Sequence, residues 1–379
     1  MDKLEERLLE FIANDSCQAL VIKAARYGVP IFEGCYGVST NEYGVKMDTI
    51  FPVFSNTKVI TSALIFILLE EGLLEPETRF SKFLPEYAVK GWENIRLWHL
   101  MTHTHGIDGE FWTSVENYIK DEFKIARPEG EWDRGKRDEY DSKIKKALGL
   151  PEDYGTDKMW ETVSLKVAPK NEPGKVMAYS NYGYDRLKEV ICAVTGESID
   201  SYAQKVLFGP LGMVDSHWVL PKEKWDRVLG RNEKCLGHGW INSESCYNNE
   251  GGGNGLKTTA NDMSAFCEVI LCRGRFKGRR ILSPASVKQM TSNYNSHLPN
   301  PFDAWSLGWN YRGKKVDDAG VLRSENCVEH GGWAGHKVLA DPEYGLSIIV
   351  FAGEYPEPND MGGHGNWGKI NNMVIAACE

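Results

Sequence analysis

A chain of 379 residues with 42% hydrophobic content is long enough to bury a large core, and its length predicts two domains. The formal charge of -9 argues against broad attraction to nucleic acid or anionic lipid and leaves small neutral or organic molecules as the expected partners. No apolar run approaches the roughly 20 residues a bilayer span requires, and the first residues carry no basic-then-apolar export pattern, so a soluble, cytoplasmic protein is expected.

The opening run Met1 to Phe11 has the spacing of an amphipathic helix. Two apolar stretches, Ala19 to Arg26 and Pro30 to Val38, flank the break Tyr27-Gly28-Val29 and predict an antiparallel strand pair. Thr49 to Phe54 leads into Ser55, and from Ser55 to Glu71 the chain is apolar nearly all round until Gly72, the pattern of a buried central helix. Helical periods then dominate, among them Trp98 to His103, Asp133 to Leu148 and Tyr184 to Leu207. The charged stretch Glu129 to Lys146, around Trp132 and Tyr140, reads as a solvated helix face, with a lid over a pocket as the alternative.

Gly251 to Gly255 is glycine-rich and precedes a helix running to Cys272, with Asn261 or a neighbour as its cap. Trp305 to Tyr311, Lys337 to Ala340 and Leu346 to Ala352 have strand character, and the C-terminal end looks helical. The order sheet, helices, sheet, helix requires one sheet assembled from both chain ends. The expected fold is therefore α+β, with an antiparallel sheet flanked by helices over 1–72 and 221–379. A mostly helical domain is expected over 73–220, with an insertion around 110–166 as a candidate lid. Nine cysteines form an odd set without a C-x-x-C pair, which predicts reduced thiols rather than a disulfide framework or a zinc ribbon.

Three motifs carry chemistry. In Ser55-Asn56-Thr57-Lys58 a serine opens the buried helix and a lysine follows one turn later, so both side chains project from one face. A serine hydroxyl attacks only when a neighbour accepts its proton, and a buried lysine with a lowered pKa can do so; the helix N-terminus adds N–H groups where an oxyanion forms. A plain helix start is the alternative. Tyr179-Ser180-Asn181, ahead of another helix, can present a phenol and an amide to one pocket, or Tyr179 packs a surface and Asn181 caps the helix. In His330-Gly331-Gly332-Trp333 the glycines let the backbone approach a ligand, unless they only make a turn between strands.

In this order the three motifs resemble those of the serine β-lactamase and DD-peptidase superfamily, nearest its class C β-lactamase, family VIII esterase and D-aminopeptidase/alkaline D-peptidase branches. Arg96 to Gly106, Tyr182 to Met213 and Gly255 to Met263 extend the similarity over most of the chain. The resemblance implies a β-lactamase/transpeptidase-like fold in which Ser55 is acylated and Lys58 and Tyr179 act as general base and acid. It also implies that Asn181 orients the substrate and that the N–H groups of Ser55 and Trp333 form the oxyanion hole. His330, Gly331, Gly332 and Trp333 would line the substrate. His330 stands where the family carries a lysine, and a histidine is only partly charged at neutral pH, so penicillin-like acids are less expected than esters or amides. The spacing from Ser55 to Tyr179 is also longer than usual, with the excess around Glu110 to Lys166.

The expected function is a serine hydrolase, foremost an esterase or amidase on small acyl substrates, working by two-step acyl transfer without cofactor or metal. Alternatives are a peptidase or aminopeptidase for D-residue peptides, a β-lactamase, a biosynthetic acyltransferase, and a catalytically silent ligand-binding protein. A metallohydrolase is suggested by His103, His105 and Asp108 with His99 a turn before, although Gly109 stands where a further histidine would be wanted.

Overall fold

The apolar run near the N-terminus becomes a central strand because both of its faces are covered. In the computed structural model, which describes residues 2–14, 16–130, 134–356 and 367–378, this strand, β1 (Cys17–Arg26), is buried along almost its whole length. It turns through Tyr27 and Gly28, both at positive φ, into β2 (Val29–Gly37), whose alternating exposure marks a sheet edge. The remaining strands come from the far end of the chain: β3 (Asn310–Tyr311), β4 (Val328–Gly332), β5 (His336–Asp341) and β6 (Leu346–Glu354). The order is β2-β1-β6-β5-β4-β3, and every neighbouring pair is antiparallel. β1 meets β6 from Cys17 opposite Glu354 to Arg26 opposite Leu346, so the two chain ends build one sheet.

Helices cover both faces, giving the expected α+β architecture. On one face Leu4 and Leu8 of the N-terminal helix Asp2–Ala13 join Trp367, Ile370 and Val374 of the C-terminal helix Trp367–Cys378 over Leu20, Ile22, Ile348 and Val350. The helix Ala260–Leu271 packs against β1, β5 and β6. Its cap is Thr259, whose hydroxyl accepts from the Asp262 N–H, while Asn261 instead accepts from Lys23. The helix Thr57–Glu70 is buried continuously from Thr57 to Leu68, as its all-round apolar sequence demands.

Two compact units are distinguished: Met1–Pro76 with Asn181–Glu379, and Glu77–Ser180. Residues 181–220, expected in the helical part, group with the sheet-bearing unit because the helix Tyr182–Thr195 packs on Thr57–Glu70. The periodic stretch from Tyr184 is also broken, since Gly196 ends the first helix in a left-handed conformation and a new helix starts at Ile199.

The unit Glu77–Ser180 contains the helices Leu97–Met101, Gly109–Phe123, Arg134–Ala147 and Thr156–Ser164. Its core is a run of rings in which Phe80 meets Tyr87 at 4.5 Å, Tyr87 meets Trp92 at 5.4 Å and Trp92 meets Phe111 at 5.6 Å. The charged stretch 129–146 forms mostly the helix Arg134–Ala147, with Tyr140 buried; Trp132 lies outside the described residues. Among the described residues no helix is long and apolar enough to cross a membrane.

Candidate active site

Ser55 is placed by a short ladder and a strained turn. Phe51 and Pro52 pair with Thr258 and Lys257, and the Val53 N–H donates to the Leu256 carbonyl at 3.0 Å. Phe54 then adopts φ +46, a left-handed conformation that bulky residues rarely hold, and turns the chain into the 3-10 turn Phe54–Asn56. Ser55 therefore stands on this tighter turn rather than in the regular helix, which begins at Thr57. The Thr57 hydroxyl accepts from the Leu256 N–H at 2.9 Å and fixes the join.

Lys58 reaches back from the helix so that its Nζ lies 3.1 Å from Ser55 Oγ. The same ammonium donates to Asn181 Oδ1 at 2.6 Å and to the Gly253 carbonyl at 2.8 Å. Burial pushes its pKa down to about 7, and the Asp185 carboxylate opposes that shift only in part. Near neutral pH a sizeable fraction of Lys58 is thus the free amine, which can accept a proton from the hydroxyl beside it. The fit at Gly253 is close, since a Cβ would lie 3.1 Å from Asn181 Oδ1 and 3.3 Å from Lys58 Nζ and would press on both side-chain ends. Asp185 and Gly253, found through the structure alone, also stand beside Lys58; the glycine-rich run Gly251 to Gly255 was a sequence signal for Gly253.

His330, Gly331 and Gly332 lie within β4 itself, and the turn falls on the residues that follow. Ladder pairing of His330 with Val338, Gly331 with Lys337 and Gly332 with His336 holds the segment extended despite its glycines. Gly332 passes so close to the serine turn that a Cβ would sit 2.3 Å from the Val53 carbonyl oxygen. His330 is buried, its Nδ1 is 2.8 Å from the Gly331 carbonyl, and its ring meets Trp305 edge-on. Burial, followed by the charge of Lys58, lowers its pKa to about 3. The partial charge anticipated for this histidine is therefore corrected: it is neutral at physiological pH because it is sealed from water.

Behind β4, Glu329 and Lys337 form a buried ion pair at 2.8 Å. Burial alone would raise the Glu329 pKa, but Lys337 and Arg323 hold it below the usual carboxylate range.

Ser55, Lys58, Asn181 and His330 to Trp333 belong to one unit; Tyr179 belongs to Glu77–Ser180. There the Tyr179 ring lies 4.5 Å from that of His103, and the Ser180 N–H donates to His103 Nδ1 at 3.2 Å. The histidines that suggested a metal have other work. His99 Nδ1 accepts from the Arg96 N–H, His105 Nδ1 from the Ile107 N–H, and Asp108 caps the helix Gly109–Phe123. Among the described residues no group of three or more His, Cys, Asp or Glu side chains is disposed to hold a metal ion.

Residues 2–365 match the family model described as Beta-lactamase. The chain belongs to the beta-lactamase family. This places it in the serine-hydrolase superfamily that includes esterases, amidases, carboxypeptidases and β-lactamases. An N-acetylmuramyl-L-alanine amidase from Bacillus subtilis is 24% identical over 95% of this chain and 85% of its own length. A putative D-alanyl-D-alanine carboxypeptidase from Escherichia coli K12 is 22% identical over 82% of this chain and 70% of its own. Among solved structures, a family VIII carboxylesterase superposes with a TM-score of 0.73 at 17% identity, covering 100% of this chain and 97% of the other. The beta-lactamase fold is thereby shown, with its antiparallel sheet and flanking helices. In this beta-lactamase family member the serine of the first motif is half-buried beside an amine with a depressed pKa.

Proposed function

We propose that the protein is a serine hydrolase that forms an acyl-enzyme on Ser55 and acts on esters or amides of small acyl groups. The observation that carries this reading is the 3.1 Å contact between Ser55 Oγ and a Lys58 amine whose pKa is about 7. In the first step the Ser55 proton passes to Lys58, Oγ bonds to the carbonyl carbon, and the oxyanion is held by the N–H groups of Ser55 and Trp333. The carbon–leaving-group bond then breaks and the leaving atom takes up the proton, with Tyr179 sharing that transfer. Water attacks the ester on Ser55 in the second step, releasing the acid and restoring the hydroxyl. Asn181 holds Lys58 and orients the substrate.

The neutral state of His330 supports substrates without a carboxylate next to the scissile bond, because this side chain adds no positive charge of its own. The names of the two curated relatives support amides and peptides as a second class. Both readings meet one test: intact-protein mass spectrometry after brief exposure to a p-nitrophenyl ester, a D-amino-acid amide and a penicillin. An acyl adduct or turnover with the native chain, absent in Ser55→Ala, is expected. Equal turnover by the folded Ser55→Ala variant would overturn the assignment.

A further inference from the structure

Phe54, whose left-handed turn delivers Ser55, is flanked by two tryptophans. Its ring lies 5.8 Å from Trp240 and 5.1 Å from Trp333, the latter edge-on. Trp240 is 39% and Trp333 47% exposed, and among the described residues no other tryptophan is so open to water. Two large rings left in solvent beside a reactive hydroxyl call for an apolar occupant.

Below these rings the packing is tight. Phe54, Ile241 and Ala334 form a buried cluster with Leu236 against it, and His336 stacks on Phe54 at 6.1 Å. At Gly237 a Cβ would come within 2.5 Å of the Trp333 ring, so that backbone supports the indole directly. The surface is therefore set in place before any ligand arrives, which lowers the ordering cost of binding.

The direction of β4 says which part of a substrate meets it. His330 lies at the Lys58 end of this strand and Trp333, just beyond Gly332, at the Phe54 end. At roughly 3.3 Å per residue the two ends are separated by about 10 Å. In the proposed first step the proton passes through Lys58, and a leaving group that collects it there lies toward His330, with the acyl remainder toward Phe54.

We infer that Trp240, Phe54 and Trp333 form an aromatic shelf that binds an apolar acyl group of medium length, aliphatic or aryl, and so sets acyl specificity. This inference rests on the acyl-enzyme reading of Ser55 given above. Trp240 acts by contact with the acyl chain, and no step of the chemistry passes through it.

The test compares kcat/KM for p-nitrophenyl acetate, butyrate and octanoate in the native chain, Trp240→Ala and Trp240→Phe, with adduct formation on Ser55 followed by mass spectrometry. The native chain is expected to favour octanoate over acetate. Trp240→Ala should lower that ratio about tenfold, the order expected when several methylenes lose their apolar cover. Trp240→Phe should keep most of the preference. A second series holds the acetyl group and lengthens the alcohol; a preference that follows the alcohol would overturn the assignment of the shelf to the acyl side. If Ser55 is acylated but the ratio is flat, or is unmoved by Trp240→Ala, the shelf fails while the hydrolase reading stands. If no ester acylates Ser55, that reading fails first and the shelf with it.

Discussion

Lys58 Nζ lies 3.1 Å from Ser55 Oγ, one turn along a segment whose side chains are buried from Asn56 to Leu68. The same burial that brings the two together lowers the lysine pKa to about 7, so proximity and proton affinity have one cause.

The acid limb of kcat/KM should follow Lys58 and rise through about pH 7. Asn181→Asp places a negative charge where the amide oxygen now takes the lysine proton, which raises the lysine pKa and moves the limb to higher pH. Asn181→Ala should move it to lower pH and reduce kcat/KM by roughly a hundredfold through lost positioning. Full pH–rate profiles of the three proteins decide the matter; identical limbs would remove Lys58 as the titrating group.

Stability should carry the mark of this lysine as well. With a folded pKa near 7 and an ordinary unfolded value of 10.5, the unfolded chain binds more protons between those limits. The native lysine is therefore most costly below about 7, and the cost fades as pH rises toward the unfolded value. Urea titrations of Lys58→Met against the native chain should show the variant gaining relative stability as pH falls from about 9 to about 7.

His330 is neutral because it is buried, and its pKa of about 3 excludes it from any limb at working pH. His330→Lys would add a cation close to Lys58 and push the Lys58 pKa further down. The acid limb should shift to lower pH, and acylation by a penicillin, which bears a carboxylate, should accelerate relative to a neutral ester. Stopped acylation followed by mass spectrometry reads both.

Much of this was legible beforehand. The all-round apolar run after Ser55, the β1–β2 pair and the β-branched run in β6 follow from local pattern, and each is present. Trp305 to Tyr311 reads as a strand, yet only Asn310 and Tyr311 pair with β4. Gly308 sits at φ +123 and the Ser306 hydroxyl accepts from the Trp309 N–H, so a local turn displaces the ladder there. The strand at His330-Gly331-Gly332 was hidden for the converse reason, since glycines carry no strand signal and the pairing partners are supplied by β5. Asp185 and Trp240 reach their places only through tertiary packing, to which no local spacing points.

The buried pair behind β4 offers a separate check on how that strand is held. Glu329→Gln leaves the Lys337 charge without its partner and should cost about 3 kcal/mol or more at neutral pH. Because Lys337 depresses the folded Glu329 pKa below its ordinary value, the contribution of the pair is present above the unfolded value and is lost as pH falls toward the folded one. Chemical unfolding at neutral and at acid pH should show the deficit of the variant shrinking on acidification.

The pairing of Cys17 with Glu354 and of Arg26 with Leu346 has a consequence for biosynthesis. During translation the first hairpin leaves the ribosome with one long edge unpaired, and its partner strand is not made until almost the whole chain has followed. Contacts of such sequence separation slow folding and expose apolar edges to association. The nascent chain is therefore a natural client for chaperones until β6 emerges, and truncation within β6 should yield aggregate rather than a smaller folded protein.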